Sequence, residues 1–194
     1  MKKNSRIKFF GSVLSNPVNK GNQGTIHVLH LGSKKYIVKV FNFDKPKANV
    51  LTGILKMYKS FGIKTVSELQ DYIVIKKIKE FRNEINIHLI AQDLKISPKI
   101  LSYDLELGNI VMEYVDGITL RTFLKKDKMS KELENKINKC FDKLYNIGIS
   151  HNDITVDNIM LDKNMKIYII DFGISSMQDE PIPLNKRSYV NTTV

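Results

Sequence analysis

The chain has 194 residues, of which 42% are hydrophobic and 26% are charged, a composition ordinary for a globular protein that buries its own core. A single cysteine excludes an internal disulfide framework, and no stretch approaches the roughly 20 apolar residues of a membrane span. The net charge of +11 favours acidic partners, but the lysines are scattered, so a nucleic-acid partner is compatible with the charge and not favoured. We expect a cytoplasmic protein, in its own cell or, for a viral protein or secreted effector, in a host cytoplasm.

The first forty residues predict antiparallel strands at 7–14, 25–31 and 35–41. Between the first two strands lies a polar loop that contains Gly21 and Gly24. Glycines let a backbone approach phosphates so that its N–H groups can donate to them, although a hairpin turn would have the same composition. Lys39 follows on an otherwise apolar strand, where an inward-facing ammonium needs a partner. The alternative is a surface lysine on an edge strand.

A helical region is predicted next. Residues 47–61 are weakly helical, and Thr65 to Glu68 has the pattern of a capping box that opens a helix reaching about Asp93. Such a helix would have about 28 residues and span roughly 42 Å. Glu80 and Glu84 lie one turn apart on the same face of this helix, and either could be a solvated helix residue.

The second half of the chain begins with two strands, at 100–105 and 109–114. An amphipathic helix opened by Ser130 and closed at Gly148 then leads to His151. Cys140 falls within that helical pattern, which favours a buried structural thiol over a nucleophile.

The stretch from His151 to Gly173 holds two carboxylates and an amide at the ends of short apolar runs. The runs at 159–161 and 167–170 predict a hairpin that brings Asn158 close to Asp171. An amide and a carboxylate there suit Mg²⁺, which prefers oxygen ligands, and Asp153 could orient a hydroxyl and accept its proton. Each residue alone would be ordinary turn chemistry.

The order H-x-D-x-x-x-x-N followed by D-F-G resembles the catalytic and metal-binding loops of protein kinases. The resemblance implies an α+β, protein kinase-like bilobal fold with an antiparallel five-stranded N-lobe sheet and a truncated helical C-lobe. It divides the chain into an N-lobe over 1–115 with a helical insertion at about 44–80, a reduced C-lobe over 116–175, and an extended tail over 176–194.

The resemblance implies ATP and Mg²⁺ as cofactors, with Asn158 and Asp171 as metal ligands and Asp153 as the base. It also implies that Lys39 contacts the phosphates and is held by a glutamate of the long helix, for which Glu84 is the first candidate and Glu80 the second. His151 would be structural, packed beneath the phenylalanine of the metal-binding loop.

The remaining nucleotide contacts are implied by the glycine-rich loop and the hinge of kinases. Gly21 and Gly24 would approach the phosphates, with Ile26 in place of the usual valine. Backbone groups of Glu113 and Val115 would hold adenine, with Met112 at the gatekeeper position.

The sequence departs from the kinase pattern in three places. Asn152 replaces an arginine that in many kinases receives an activation-loop phosphate, so regulation through that contact should be absent. Thr155 replaces the usual lysine. A threonine at this position makes the chain similar to the small atypical kinase of the tRNA-modifying KEOPS complex. The third departure is that the substrate-docking helices of ordinary kinases do not follow Gly173.

The function expected from the resemblance is transfer of the ATP γ-phosphate to a Ser or Thr hydroxyl of a protein substrate. The first alternative is a nucleotide-binding pseudokinase or ATPase module that acts through a protein partner, which could also complete the C-lobe. The second is a small-molecule kinase.

Overall fold

A computed structural model describes residues 24–190, together with the backbone of three short strands before them, at 8–9, 12–13 and 19–20. Strands β1 (Lys8–Phe9) and β2 (Ser12–Val13) pair with each other. The described part of the range predicted as one strand, 7–14, therefore forms two short strands. The edge strand of the main sheet is instead β3 (Asn19–Lys20).

Five antiparallel strands form the N-terminal sheet, in the order β3-β4-β5-β7-β6. The four longer strands are β4 (Gly24–Leu31), β5 (Lys34–Phe41), β6 (Ile100–Asp104) and β7 (Asn109–Glu113). The central strands β5 and β7 carry fully buried side chains such as Val38 and Ile110, which is typical of strands covered on both faces. Lys39 lies opposite Ile110 in this register, so the strand carries it into the interior.

Helices α1 (Ala48–Thr52), α2 (Leu55–Tyr58) and α3 (Val66–Asp93) separate β5 from β6. The predicted capping box is confirmed, because the Thr65 side chain accepts from the Glu68 N–H and the Glu68 carboxylate accepts from the Thr65 N–H. The first half of α3 packs on a small cluster of its own with α1 and α2. Its second half packs beneath the sheet and provides one wall of the site.

The C-terminal part contains helices α4 (Leu120–Leu124) and α5 (Lys131–Tyr145) and a short three-stranded sheet, β8 (Gly117–Thr119), β10 (Ile159–Asp162) and β11 (Ile167–Ile169). The predicted hairpin is β10–β11. Strand β8 adds to its other side, where a Cβ on Gly117 would lie 2.2 Å from the Leu161 carbonyl oxygen. Glycine is therefore required for the two backbones to approach.

Beyond the hairpin, β12 (Ser176–Met177) pairs with β9 (Ile149–Ser150). The tail predicted over 176–194 is described as far as Val190. Apart from β12 and a 3-10 turn at Leu184–Lys186, it packs along α5 and buries Ile182 and Val190 in the main core. Within the described residues, no helix combines the length and apolarity needed to cross a bilayer.

Candidate active site

Lys39 lies between the sheet and α3, with its side chain only 9% exposed. Its Nζ donates to Glu84 Oε1 at 2.5 Å and to Asp171 Oδ1 at 2.8 Å. Of the two glutamates proposed from the sequence, Glu84 is the one that meets Lys39, because it lies on the buried half of α3. Glu80 is instead 3.7 Å from Lys76 on the helix surface.

The ammonium of Lys39 and the carboxylates of Glu84 and Asp171 shift one another's pKa values. Burial on its own lowers the pKa of Lys39, but Glu84 and Asp171 offset this and hold that pKa above its ordinary value. Burial raises the pKa of Glu84, and Lys39 opposes that rise in part. Burial also acts to raise the pKa of Asp171, but Lys39 and the Gly173 N–H bring it below its usual value. At neutral pH, the site therefore holds the Lys39 ammonium beside the Asp171 carboxylate.

Asp171 follows β11 in a left-handed backbone conformation, with φ +63°, and its side chain remains 46% exposed. The next residue, Phe172, is fully buried between two histidine rings, with centroid distances of 5.1 Å to His151 and 5.3 Å to His88. The packed ring fixes the chain immediately after Asp171 while the carboxylate stays accessible.

His151 is fully buried, and its Nε2 lies 3.1 Å from the Ile170 carbonyl oxygen. Burial lowers its pKa, so the ring is neutral at pH 7. It lies against Phe172, as the kinase resemblance implies.

Asp153 and Asn158 are joined directly. Asn158 Nδ2 donates to Asp153 Oδ2 at 2.8 Å and to the Asp153 carbonyl at 3.0 Å. The Ile170 N–H donates to the Asn158 carbonyl at 2.9 Å, which fastens this loop beside Asp171. Arg121 from α4 adds a bidentate pair to Asp157 on the same loop, at 2.7 and 2.9 Å.

The described residues that are predicted to contact the nucleotide lie on strands of the N-terminal sheet and in the segment that follows β7. Ile26 is opposite Lys39 in the β4–β5 pair, and Gly24 is required by the sheet itself, because a Cβ there would lie 2.1 Å from the Val40 carbonyl oxygen. Gly21 lies outside the described residues. Met112 is buried against the second half of α3.

Part of the backbone at the predicted hinge already makes hydrogen bonds within the protein. The Glu113 N–H donates to the Lys99 carbonyl at 2.9 Å, and its carboxylate accepts from the Lys99 N–H. Only the carbonyl of Glu113 is therefore suited to a nucleobase. Val115 follows as a buried residue, at the position where a hinge N–H would be needed.

The donor set fits Mg²⁺ without forming a complete protein cage. Among the described residues, no cluster of three or more His, Cys, Asp or Glu side chains could hold a metal ion. Asp171 offers a carboxylate, and Asn158 uses its amide nitrogen for Asp153, which leaves its oxygen for a cation. Magnesium is commonly bound by one or two protein oxygens plus water and phosphate, and this arrangement has that form.

The structure places at the site two residues that the sequence analysis did not name, His88 and Asn83, and it gives Asn152 contacts that the sequence analysis did not predict. His88 is buried one turn after Glu84, contacts Phe172 and has its pKa lowered to about 4, mainly by burial. Asn83 and Asn152 bind the chain just after Gly173. The helical spacing from Glu84 and the asparagine beside Asp153 were the available signals.

Comparison with known proteins places this site in a family. The protein kinase domain family matches residues 46–193. The chain is 31% identical over 122 residues to a probable serine/threonine-protein kinase BUD32 homolog of Archaeoglobus fulgidus, covering 59% of this chain and 60% of that protein. It is 28% identical over 144 residues to the KEOPS complex subunit Bud32 of Pyrococcus abyssi, covering 71% and 60%.

A viral protein is similar as well. Serine/threonine-protein kinase 1 of Heliothis zea nuclear polyhedrosis virus is 30% identical over 128 residues, covering 63% of this chain and 43% of the viral protein. The matched region thus spans about 60% of the length of the two archaeal relatives described above. The family match and the mixed antiparallel sheet and helices confirm the predicted α+β kinase-like fold, and the chain belongs to the protein kinase domain family.

Proposed function

We propose that this chain is an ATP-dependent protein kinase that transfers the γ-phosphate to a Ser or Thr hydroxyl. One observation carries the proposal: the buried Lys39 is paired with both Glu84 and Asp171. A lysine held in this way can meet phosphate oxygens without an uncompensated buried charge. The names of two similar proteins, from Archaeoglobus fulgidus and the insect virus, refer to serine/threonine kinases.

In the proposed reaction, Lys39 binds the α and β phosphates of ATP. Asp171 and the side-chain oxygen of Asn158 would hold Mg²⁺, which would neutralise phosphate charge when bound. Asp153 Oδ2 is occupied by Asn158, so its Oδ1 is the atom that orients the substrate hydroxyl. The hydroxyl oxygen bonds to the γ-phosphorus as the bond to the β,γ-bridging oxygen breaks, ADP leaves, and the hydroxyl proton passes to Asp153.

The architecture of the proposal follows the lobes implied by the family. An N-lobe over 1–115 with an insertion at about 44–80 and a reduced C-lobe over 116–175 would enclose the nucleotide. The Pyrococcus abyssi relative is named as a subunit of a complex. The proposal also includes a protein partner that completes the substrate-docking side. It includes a cytoplasmic location as well.

The test is transfer of labelled γ-phosphate from ATP with Mg²⁺ to the protein itself and to a generic basic protein. Wild type is compared with Asp153→Asn and Asp171→Asn, and with Asp179→Asn as a matched control on an exposed residue beyond the site. We expect a loss of about 10²- to 10⁴-fold in each site variant and no change in the control. Phosphoamino-acid analysis then identifies the acceptor hydroxyl.

Three outcomes would contradict the proposal. Equal label in wild type and both site variants would remove these residues from the chemistry. A folded wild type that binds ATP but transfers no label, alone or with added cell extract, would favour a nucleotide-binding module that acts through a partner. Label transferred only to small alcohols would favour a small-molecule kinase.

A further inference from the structure

Asn152 occupies the position beside the proposed base at which many kinases have an arginine, and it has a left-handed backbone with φ +62°. Asparagine is one of the few residues that tolerate this region. Its side chain makes three hydrogen bonds. Ser150 Oγ donates to its oxygen at 2.6 Å, and its Nδ2 donates to the Ile174 carbonyl at 3.0 Å and to Ser176 Oγ at 2.9 Å.

A second amide reaches the same segment from the opposite side. Asn83, which immediately precedes Glu84 on α3, donates from Nδ2 to the Ser175 carbonyl at 2.7 Å. Ser175 is buried, and its own hydroxyl donates to the His151 carbonyl at 3.1 Å. Three consecutive residues, 174–176, are therefore held alternately by the catalytic loop and by the long helix.

We propose that Asn83 and Asn152 form an amide clamp, a pair of positioning residues that fix the chain after Gly173 without any phosphate. None of the bonds that the clamp makes involves a charged group, in contrast to an arginine that binds a phosphorylated loop. The clamp deepens the proposed kinase function and rests on it, since what it positions is Asp171.

The link to Asp171 is short. The Ser175 N–H donates to the Phe172 carbonyl at 3.0 Å, so the segment turns back on the residue that follows Asp171. The backbone ladder between β9 and β12 covers only two residue pairs, too few to hold an isolated strand pair in water. The side-chain amides therefore add hydrogen bonds to a segment whose strand pairing is short.

The clamp predicts an effect that a general loss of stability would not produce. Loosening 174–176 should disturb Asp171, and with it the part of ATP affinity that depends on Mg²⁺. Binding of ATP without Mg²⁺ relies on Lys39 and the hinge, and it should stay constant. The activity of the wild type should also be unchanged by phosphatase treatment.

The experiment compares wild type with Asn152→Gly, Asn83→Ala and the double variant. Glycine at 152 keeps the positive φ and removes all three side-chain bonds, and alanine at 83 keeps the helix. Asn135→Ala, on an exposed position of α5, is the matched control. Three quantities are measured on the full chain: amide hydrogen exchange of 174–178, the Kd for ATP with and without Mg²⁺, and kcat.

We expect each single variant to speed exchange at 174–178 by about tenfold, the size expected for losing one or two hydrogen bonds. The Kd for ATP should rise about tenfold with Mg²⁺ and change less than twofold without it, and kcat should fall about tenfold. Since both amides hold one segment, the double variant should lose less than the product of the single effects.

Unchanged exchange and an unchanged effect of Mg²⁺ in folded variants would overturn the clamp. If Asn152→Gly does not fold, Asn83→Ala decides alone. A wild type that transfers no phosphate contradicts the proposed function, and the clamp is then judged on exchange and on Mg²⁺-dependent binding. If the wild type does not bind ATP, exchange at 174–178 is the deciding result.

Discussion

Two segments outside the motifs, the helical segment 48–64 and the C-terminal segment 178–190, relate to the site in opposite ways. The helical segment packs its apolar side chains into a cluster of its own, around Leu51, Ile63 and Leu69. The C-terminal segment contributes Ile182 and Val190 to the cluster that contains Phe172. A segment therefore affects the site through the core that it shares.

The C-terminal segment is also tied to α5 by polar contacts. Arg187 donates to Asp142 at 2.8 Å and to the Asn146 side-chain oxygen at 2.8 Å, where a cation suits the C-terminal end of a helix. Tyr145 donates through its hydroxyl to the Ser188 carbonyl. These contacts bring the segment onto the helix that precedes His151.

The largest expected effect comes from a variant that ends at Gln178. It removes two buried aliphatic side chains, each contributing about 1.5–3 kcal/mol, together with the Arg187 contacts, from a protein whose free energy of unfolding should be about 5–15 kcal/mol. We expect loss of cooperative thermal unfolding near 37 °C, measured by circular dichroism. Replacing 48–64 by a flexible linker should keep a cooperative transition, and an equal loss in both variants would erase the distinction between the segments.

Acid should also affect the two regions differently, because two buried histidines, His88 and His151, pack against Phe172 in the core that the C-terminal segment shares. Burial lowers the pKa of His88 from 6.5 to about 4, so between those values the unfolded state binds the proton more readily than the folded state. Stability is then lost as pH falls from 6.5 towards 4, by about 3 kcal/mol for a shift of this size.

Urea unfolding at pH 7 and pH 4.5 measures this effect. The drop in the free energy of unfolding should be smaller in His88→Gln than in wild type, because other titrating groups contribute equally to both. Equal drops would show that His88 does not stay neutral in the folded protein.

A matched pair of core variants gives an intermediate effect. Ile182→Ala should lower the free energy of unfolding by about 2 kcal/mol and reduce phosphate transfer, because its cluster includes Phe172. Leu69→Ala should cost a similar amount by loosening 48–64, with phosphate transfer retained. Limited proteolysis locates the loosened segment in each variant, and equal losses of activity would contradict the separation of the two clusters.

What the sequence could predict depends on whether one residue type is enough to indicate its partner. A charged Lys39 on an apolar strand requires a counter-ion, and the kinase resemblance implied that a glutamate of the long helix would supply it. The capping box was readable because its pattern is local. Family and fold followed from the motifs around Asp153 and Asp171.

The missed features depend on contacts between distant residues. Asn83 and Asn152 are ordinary polar residues until residues 174–176 pass between them. Strand β8 has three residues, fewer than any periodic pattern can indicate. The tail lacks a regular pattern, so its packing along α5 could not be deduced from Ile182 and Val190 alone.

The smallest expected effect comes from Phe61→Ser. The ring is 76% exposed and its nearest aromatic neighbour, Tyr58, lies 6.1 Å away, so little apolar area returns to water on substitution. We expect a change within about 0.5 kcal/mol in the free energy of unfolding and unchanged phosphate transfer. Urea unfolding measures this change, with Leu69→Ala beside it for comparison. A larger loss of unfolding free energy would mean that Phe61 is buried in solution, and the packing of the helical segment would then extend beyond the cluster around Leu51.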